Sequence, residues 1–465
     1  MGITSTLSLA AQALKVAQLA IQTTGHNLAN VATPGFSRQR VDLVSAHPSF
    51  NGGVFIGQGV NATGVSRVVD HFVEAELLSL HGEVGYSDTQ SRALNSIQEA
   101  FPLTGGVNGA LSEFFGALSD LANNPAGLAE RVSVIGKARA LGDTLAQTRQ
   151  VLTSLQRGLD QDLGSATQRL NVLTEQIAGL NNRITFTEVR GEAANDFRDQ
   201  RQTLLQELVS LTGATVRESE NGQVMVTVGG LLLVGGERFA TLSSDAVGGN
   251  SLHLVTYQSP DGTAFDATTL FNAGKIGSLL DARDTQVQGT IDEVDLLAKN
   301  LVDEVNSQHA LGYGLTGAVG GNLFTPITVT AGAAANVTVD AALAADPRLL
   351  AAAAAPAALP GDNRNALALV GLRGTTIAAL GGQSFEDHFF SLVGDIGSQA
   401  QTAKSRVDFE QALLTETQSR RESVSGVNLD EEATKMIQFQ RAFEASSMLV
   451  RTADEMYQSL IDMVR

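Results

Sequence analysis

Apolar residues at both ends of the chain recur every seven positions. Near the start, Leu7, Leu14, Ile21 and Leu28 share one stripe, and Ala10, Ala17, Thr24 and Val31 share the next. That spacing keeps one seam of a helix facing a partner helix, so it predicts an amphipathic coiled-coil helix. Gln18, Thr24 and Gly25 weaken the face. At the far end Met436, Phe443, Val450 and Tyr457 are seven apart, beside Phe439, Ser446, Ala453 and Leu460. Asn428 is placed to cap that helix, Glu431 follows at capping-box spacing, and Glu431 to Lys435 is a favourable i,i+4 pair.

The first helix breaks off in "HNLANVATPGFSRQR", His26 to Arg40. Thr33 precedes a proline, which drives it out of helical geometry. Pro34 and Gly35 suit the centre of a type II turn, because glycine accepts the positive φ required there. Asn27 and Asn30 sit just before the stop.

Between the ends the period changes several times. Residues 41–68, with glycine pairs and β-branched residues, predict an extended β-hairpin. Asn124–Pro125 predicts an N-cap and first-turn proline for a long helix. That helix carries Leu145, Leu152, Leu159, Ala166, Leu173 and Leu180, beside Leu163, Leu170, Ile177 and Ile184. Another helix follows a cap at Asn195 or Asp196, with Leu204, Leu205, Leu208 and Leu211 inward. The stretch from Gly213 to Leu242 predicts strand-turn-strand around Asn221–Gly222. A helix returns near 276 with Leu280, Val287, Val294 and Leu301 in its stripe. Residues 311–362 are Gly- and Ala-rich, with one β-like run, "TPITVTAGAAANVTV"; the Ala tract 351–355 predicts surface loop or short helix. The last internal helix, near 384–422, opens with Ser384 and Asp387 at capping-box spacing.

The order is palindromic, and its simplest folding is nested: the ends pair, the inner helices pair, and the β centre forms the tip. The predicted class is α+β, mainly α, with terminal coiled-coil helices, a long antiparallel helical bundle and a small β-rich outer domain. The domains are discontinuous: 1–35 with 427–465 as a terminal assembly domain, 36–68 as a hairpin linker, 69–190, 275–310 and 363–426 as a helical rod, and 191–274 with 311–362 as the outer domain. Both termini lie at one end of a rod.

Composition removes several function classes. The net charge is −18 and only 17% of residues are charged, which argues against nucleic acid as a partner. The absence of cysteine excludes disulfides, thiolate metal sites and a cysteine nucleophile. The longest apolar run, "LLAAAAAPAAL", is too short to span a membrane, and no secretory signal peptide is visible. The seven histidines form no H-x-x-x-H pair, "NAGKIGSLL" fails the phosphate-loop pattern, and no G-x-S-x-G elbow occurs. We therefore expect no enzyme activity, catalytic residue, cofactor or metal. Ordering the first thirty residues costs more backbone entropy than its Leu and Ile side chains return. The ends thus call for a large partner surface, and are expected to be disordered in the free monomer and to fold on assembly.

"HNLANVATPGFSRQR" resembles the signature of bacterial flagellar axial proteins, the rod, hook and hook-associated family, in which an amphipathic helix precedes an A-N-x-x-T-P-G-[FY] turn. The matching residues are Ala29, Asn30, Thr33, Pro34, Gly35 and Phe36. The C-terminal segment from Ser425 resembles the family's closing helix, and "SGVNLDEE" at 425–432 is similar to the hook-associated branch that forms the first hook–filament junction. "NDFRDQRQTLLQEL" at 195–208 and "SFEDHFFSLVGDIG" at 384–397 agree. Longer members insert a further β domain near 311–362, which is short here. The resemblance implies a structural protein exported unfolded by the type III apparatus and located outside the cell at the hook–filament junction. Its implied partners are further copies in a ring, the hook protein, a second junction protein, and a cytoplasmic export chaperone on the C-terminal helix. It implies that Leu7, Leu14, Ile21, Leu28, Met436, Phe439, Phe443, Val450, Tyr457 and Leu460 form the assembly interface. A hook or distal rod protein shares the same ends; a secreted coiled-coil binding protein or adhesin is the alternative from another class.

Overall fold

The computed structural model describes residues 3–51, 54–102, 105–246 and 252–464. Helix α1 (Ile3–Ala29) leads into a ribbon of β1 (Gln39–Ser45), β2 (Ser49–Asn51), β3 (Val54–Ile56) and β4 (Val60–Arg67). Helices α2 (His71–Glu99), α3 (Val107–Asn123), α4 (Leu128–Val189) and α5 (Asn195–Thr212) follow. Next come β5 (Thr215–Glu218), β6 (Val224–Val228), β7 (Leu231–Gly235), β8 (Arg238–Phe239), β9 (Thr241–Ala246), β10 (His253–Gln258) and β11 (Ala264–Asp266). The chain returns through α6 (Gly274–Asp281), α7 (Gln288–His309), α8 (Ala341–Ala345) and α9 (Arg364–Gly371) to α10 (Phe385–Ser425) and α11 (Leu429–Val464). The class is mainly α, with four small antiparallel sheets among the described residues: β1–β4, β2–β3, β5–β6–β7–β8 and β11–β10–β9.

The long helix α4 is the spine. All ten of its predicted stripe residues are buried, from Leu145 to Ile184, and all but Leu180 and Ile184 belong to a core shared with α3, α5, α7 and both larger sheets. Its start departs from the sequence expectation. Asn124 and Pro125 lie in the turn after α3, and α4 begins at Leu128 behind Gly127. Asn124 bonds from its side chain to Glu130 instead of capping. The expected cap of α5 is also absent. Asn195 donates to the Val65 carbonyl at 2.8 Å, and Asp196 accepts from Gln39 at 2.7 Å, so both side chains hold the ribbon. The returning helix is interrupted by a π-helical segment at residues 282–287, where buried Arg283 pairs with Asp160 of α4 at 2.6 Å. Ser384 and Asn428 do cap α10 and α11.

Residues 311–362 differ most from expectation. The β-like run forms no strand; it contributes one isolated bridge, Phe324 to Val339. Ala351, Ala352 and Ala353 are buried, not a surface tract. Polar side chains on the helices staple this irregular backbone down. Asp295 accepts from the amides of Gly332 and Ala334 at 2.7 and 2.9 Å, and Asn306 accepts from Leu323 and Phe324. His309 donates from Nδ1 to Gly321 and accepts the Ala351 amide at Nε2. Buried Arg131 reaches the Leu350 carbonyl, and desolvation pulls its guanidinium down to about 10, still charged at neutral pH. Buried backbone must be paired, and these side chains supply the pairing where regular structure does not.

Candidate assembly interface

The two ends pair within one chain. Asn27 of α1 meets Glu432 of α11, and Gly25 faces Met436, so the helices run antiparallel and both termini share one end of the molecule. The seam between them is narrow. Most of the buried residues on the two helices are small or polar: Ala10, Ala17, Ala20, Thr23, Thr24 and Asn27, with Val16, on α1, and Glu432, Ser446 and Ala453 on α11.

The larger apolar residues named from the sequence sit differently. Leu14, Ile21 and Leu28 are half-buried, as are Met436, Phe439 and Val450. Leu7, Phe443, Tyr457 and Leu460 are exposed, Tyr457 at 53%. The intrachain pair thus consumes the alanine stripe and leaves much of the Leu, Phe and Tyr stripe in water. A helix pair stabilised mainly by Ala and Ser contacts buries little apolar area, and an exposed patch of large apolar side chains marks an interaction surface. The ribbon continues this surface. It lies along α1, with Gln12 bonded to Asn61 and Leu9 against Gly59, and it exposes Leu43, Val44, Phe50 and Phe55. Phe50 and Phe55 pair edge-to-face at 5.1 Å.

The turn between coil and body has the geometry its sequence requires. Helix α1 stops at Ala29, the Phe36 amide donates to the Thr33 carbonyl at 3.2 Å, and Gly35 has φ +80°, a type II turn with Pro34 and Gly35 at its centre. A side chain at Gly35 would also strike Thr203 of α5. Asn30 donates back to the His26 carbonyl and accepts from Thr33. Phe36 lies edge-to-face against His26. Ala29, Thr33 and Pro34 are exposed, on a ridge beside a groove of about 670 Å³ against α4 and α5.

Several residues at this joint lie outside the sequence-derived set. Asn27 donates to the Gln39 carbonyl and to Glu432, and accepts the Gln39 amide, so one buried amide holds α1, β1 and α11 together. Asp199 takes the Ser37 amide and Arg67. Arg421 of α10 reaches Glu74 and the Gly35 carbonyl. Arg38 pairs with Glu431, and Lys435 pairs with Glu432 at 2.8 Å, so the expected Glu431–Lys435 pair does not form. The spacing of Asn27 before the turn is visible in the sequence; its bonds to the Gln39 backbone, 12 residues on, and to Glu432, 405 residues on, are not.

Among the described residues no three His, Asp or Glu side chains converge as a metal site, and no helix is long and apolar enough to cross a membrane.

Comparison with known proteins gives a consistent answer. Residues 94–324 match the family model described as flagellar hook-associated protein FlgK helical domain, and 418–463 match that of the flagellar basal body rod FlgEFG protein C-terminal region. The chain is 28% identical to flagellar hook-associated protein 1 of Bacillus subtilis, over 98% of this chain and 97% of that one. It is 25% identical to the protein of the same name from Escherichia coli, over 99% and 100% of the two chains. Among solved structures, the flagellar hook junction protein FlgK from Burkholderia pseudomallei superposes with a TM-score of 0.67 at 17% identity, covering 76% of this chain and all of that one.

Proposed function

This chain belongs to the flagellar hook-associated protein 1 family, and we propose that it forms the junction ring at the distal end of the hook, connecting hook to filament through a second junction protein. The carrying observation is the antiparallel α1–α11 coil, whose small-residue seam leaves Leu7, Phe443, Tyr457 and Leu460 exposed at the end that holds both termini. In this reading those residues, with Leu14, Ile21, Leu28, Met436, Phe439 and Val450, contact neighbouring copies, and the body from α2 to α10 faces outward. The role is structural, not enzymatic. The protein leaves the cell through the flagellar export apparatus, and the exposed stripe of α11 is where a cytoplasmic chaperone covers it beforehand.

Charge distribution supports the arrangement. Residues 1–35 and 427–465 carry seven carboxylates and five Lys or Arg, a formal −2, so −16 of the total −18 lies on residues 36–426. Weakly charged ends can crowd together, while the acidic bodies stay apart and soluble.

The test is electron microscopy of cells lacking the gene, with the medium assayed for shed flagellin. Bare hooks with flagellin in the medium are expected. Missing hooks would move the chain to a rod or hook role, and intact filaments would overturn the reading.

A further inference from the structure

The heptad pattern that pairs α1 with α11 leaves their register ambiguous. The buried small residues repeat every seven positions, Ala10 and Ala17 on α1, Ser446 and Ala453 on α11. A slide of one heptad, about 10 Å along the axis, would return each to an equivalent hole. The connection to the body does not forbid such a slide. Nine residues separate α1 from β1, and a nine-residue segment can extend to about 30 Å.

One feature of the seam does not repeat. Asn27 and Glu432 are each 1% exposed, and they bond to one another at 2.9 Å. The remaining capacity of Asn27 is spent on the Gln39 backbone, with its amide donating to the carbonyl at 2.8 Å and its oxygen accepting the N–H at 2.9 Å. The second carboxylate oxygen of Glu432 takes Lys435 at 2.8 Å. Every polar atom of the pair is therefore engaged. In a register shifted by seven, Glu432 would lose Asn27, and Asn27 would face an apolar stretch of α11. A buried side-chain amide set against apolar residues without its carboxylate partner is costly, and fixing register is the best-attested use of a lone polar group in a coiled-coil seam.

We propose that the Asn27–Glu432 pair is the register key of the terminal coil, and that the Gln39 clamp on Asn27 passes that register to the ribbon and the body. Asn27 and Glu432 are thus positioning residues. They set how far the exposed Leu and Phe stripe projects beyond the body, and contribute no contact to a neighbour themselves.

The chain contains no cysteine, so introduced pairs report position without background. In the full chain, Gly25→Cys with Met436→Cys samples the observed register, and Gly25→Cys with Phe443→Cys samples the one-heptad slide. With the key intact, the second pair should cross-link with a short bis-maleimide at least about ten-fold more slowly than the first. Asn27→Leu with Glu432→Leu should bring the two rates to within about two-fold while helicity by circular dichroism is retained. If that variant loses helicity, the milder pair decides. Glu432→Gln keeps an acceptor for Asn27 and should preserve the selectivity, whereas Asn27→Ala should lose it. Selectivity that survives both the double variant and Asn27→Ala overturns the proposal, as do equal rates in the chain with the key intact. The measurement is made on the single chain, so its outcome is independent of ring formation.

Discussion

Arg421 on α10 donates from Nη2 to the carbonyl oxygen of Gly35 at 3.0 Å, joining positions 386 residues apart. Its Nε donates to Glu74 of α2 at 2.8 Å. One guanidinium therefore holds the type II turn against the helical body, and both partners are largely shielded from water. Arg421→Met keeps the apolar stem but leaves Glu74 and the Gly35 carbonyl short of a donor. The expected loss is about 1.5–3 kcal/mol of stability, measured by urea unfolding. Chymotryptic cleavage at Phe36 should rise with it. Unchanged cleavage would mean that the turn is held by Asp199, through the Ser37 amide, and by the Ser425 carbonyl, which accepts the Arg38 amide at 2.8 Å.

The two stripes of the terminal coil predict opposite responses to the same substitution. Phe443 faces water and Ala453 faces α1. Phe443→Glu should leave the folded chain within about 0.5 kcal/mol of wild type and yet abolish assembly and filament attachment. Ala453→Glu should strip helical signal from the isolated chain, because it buries a charge between the helices. A Phe443→Glu strain with normal motility would remove Phe443 from the interface.

A seam built of Ala, Ser and Thr makes the coil the least stable part of the molecule. The α4 core, lined by Leu and Ile from end to end, is the most stable. Opening free energies differ along a chain in this way. Amide exchange should therefore be fastest in α1 and α11 and slowest around Leu163 and Leu170, and limited proteolysis should trim both ends before the body is cut. Equal protection throughout would mean that the coil needs no partner.

What the sequence revealed, and what it hid, follows from the range of the interactions. The turn at Pro34–Gly35, the caps at Ser384 and Asn428 and the stripe of α4 depend on residues within one or two turns of each other, and all are found as expected. Asn195 and Asp196 have the composition of a cap, but each meets a stronger partner on the ribbon, so tertiary contacts override the local preference. Ala351 to Ala353 look like a surface tract because alanine carries little pattern. They are buried because His309, Asp295 and Asn306, on a helix read correctly, satisfy the loop backbone beside them. The coil was legible as a coil. Which of its two stripes is spent inside the chain was not, since Leu7 and Ala10 are equally periodic, and small residues win where two helices approach closely.

The loop staple at His309 makes stability depend on acidity. Its ring is buried and neutral, with the proton on Nδ1 given to Gly321 and Nε2 taking the Ala351 amide. Burial, reinforced by the charge of Arg131, holds its pKa below the ordinary 6.5. The unfolded chain therefore binds the proton more readily than the folded one. The contribution of the neutral ring is complete above pH 6.5 and is lost as pH falls from there toward the lowered folded value. A proton on Nε2 would also turn an acceptor into a second donor facing the Ala351 N–H, which undoes the staple. The Tm of the wild-type chain should fall as pH drops below 6.5, and that of His309→Gln, lower at neutral pH, should fall less steeply over the same range. Parallel curves would place the acid sensitivity elsewhere in the molecule.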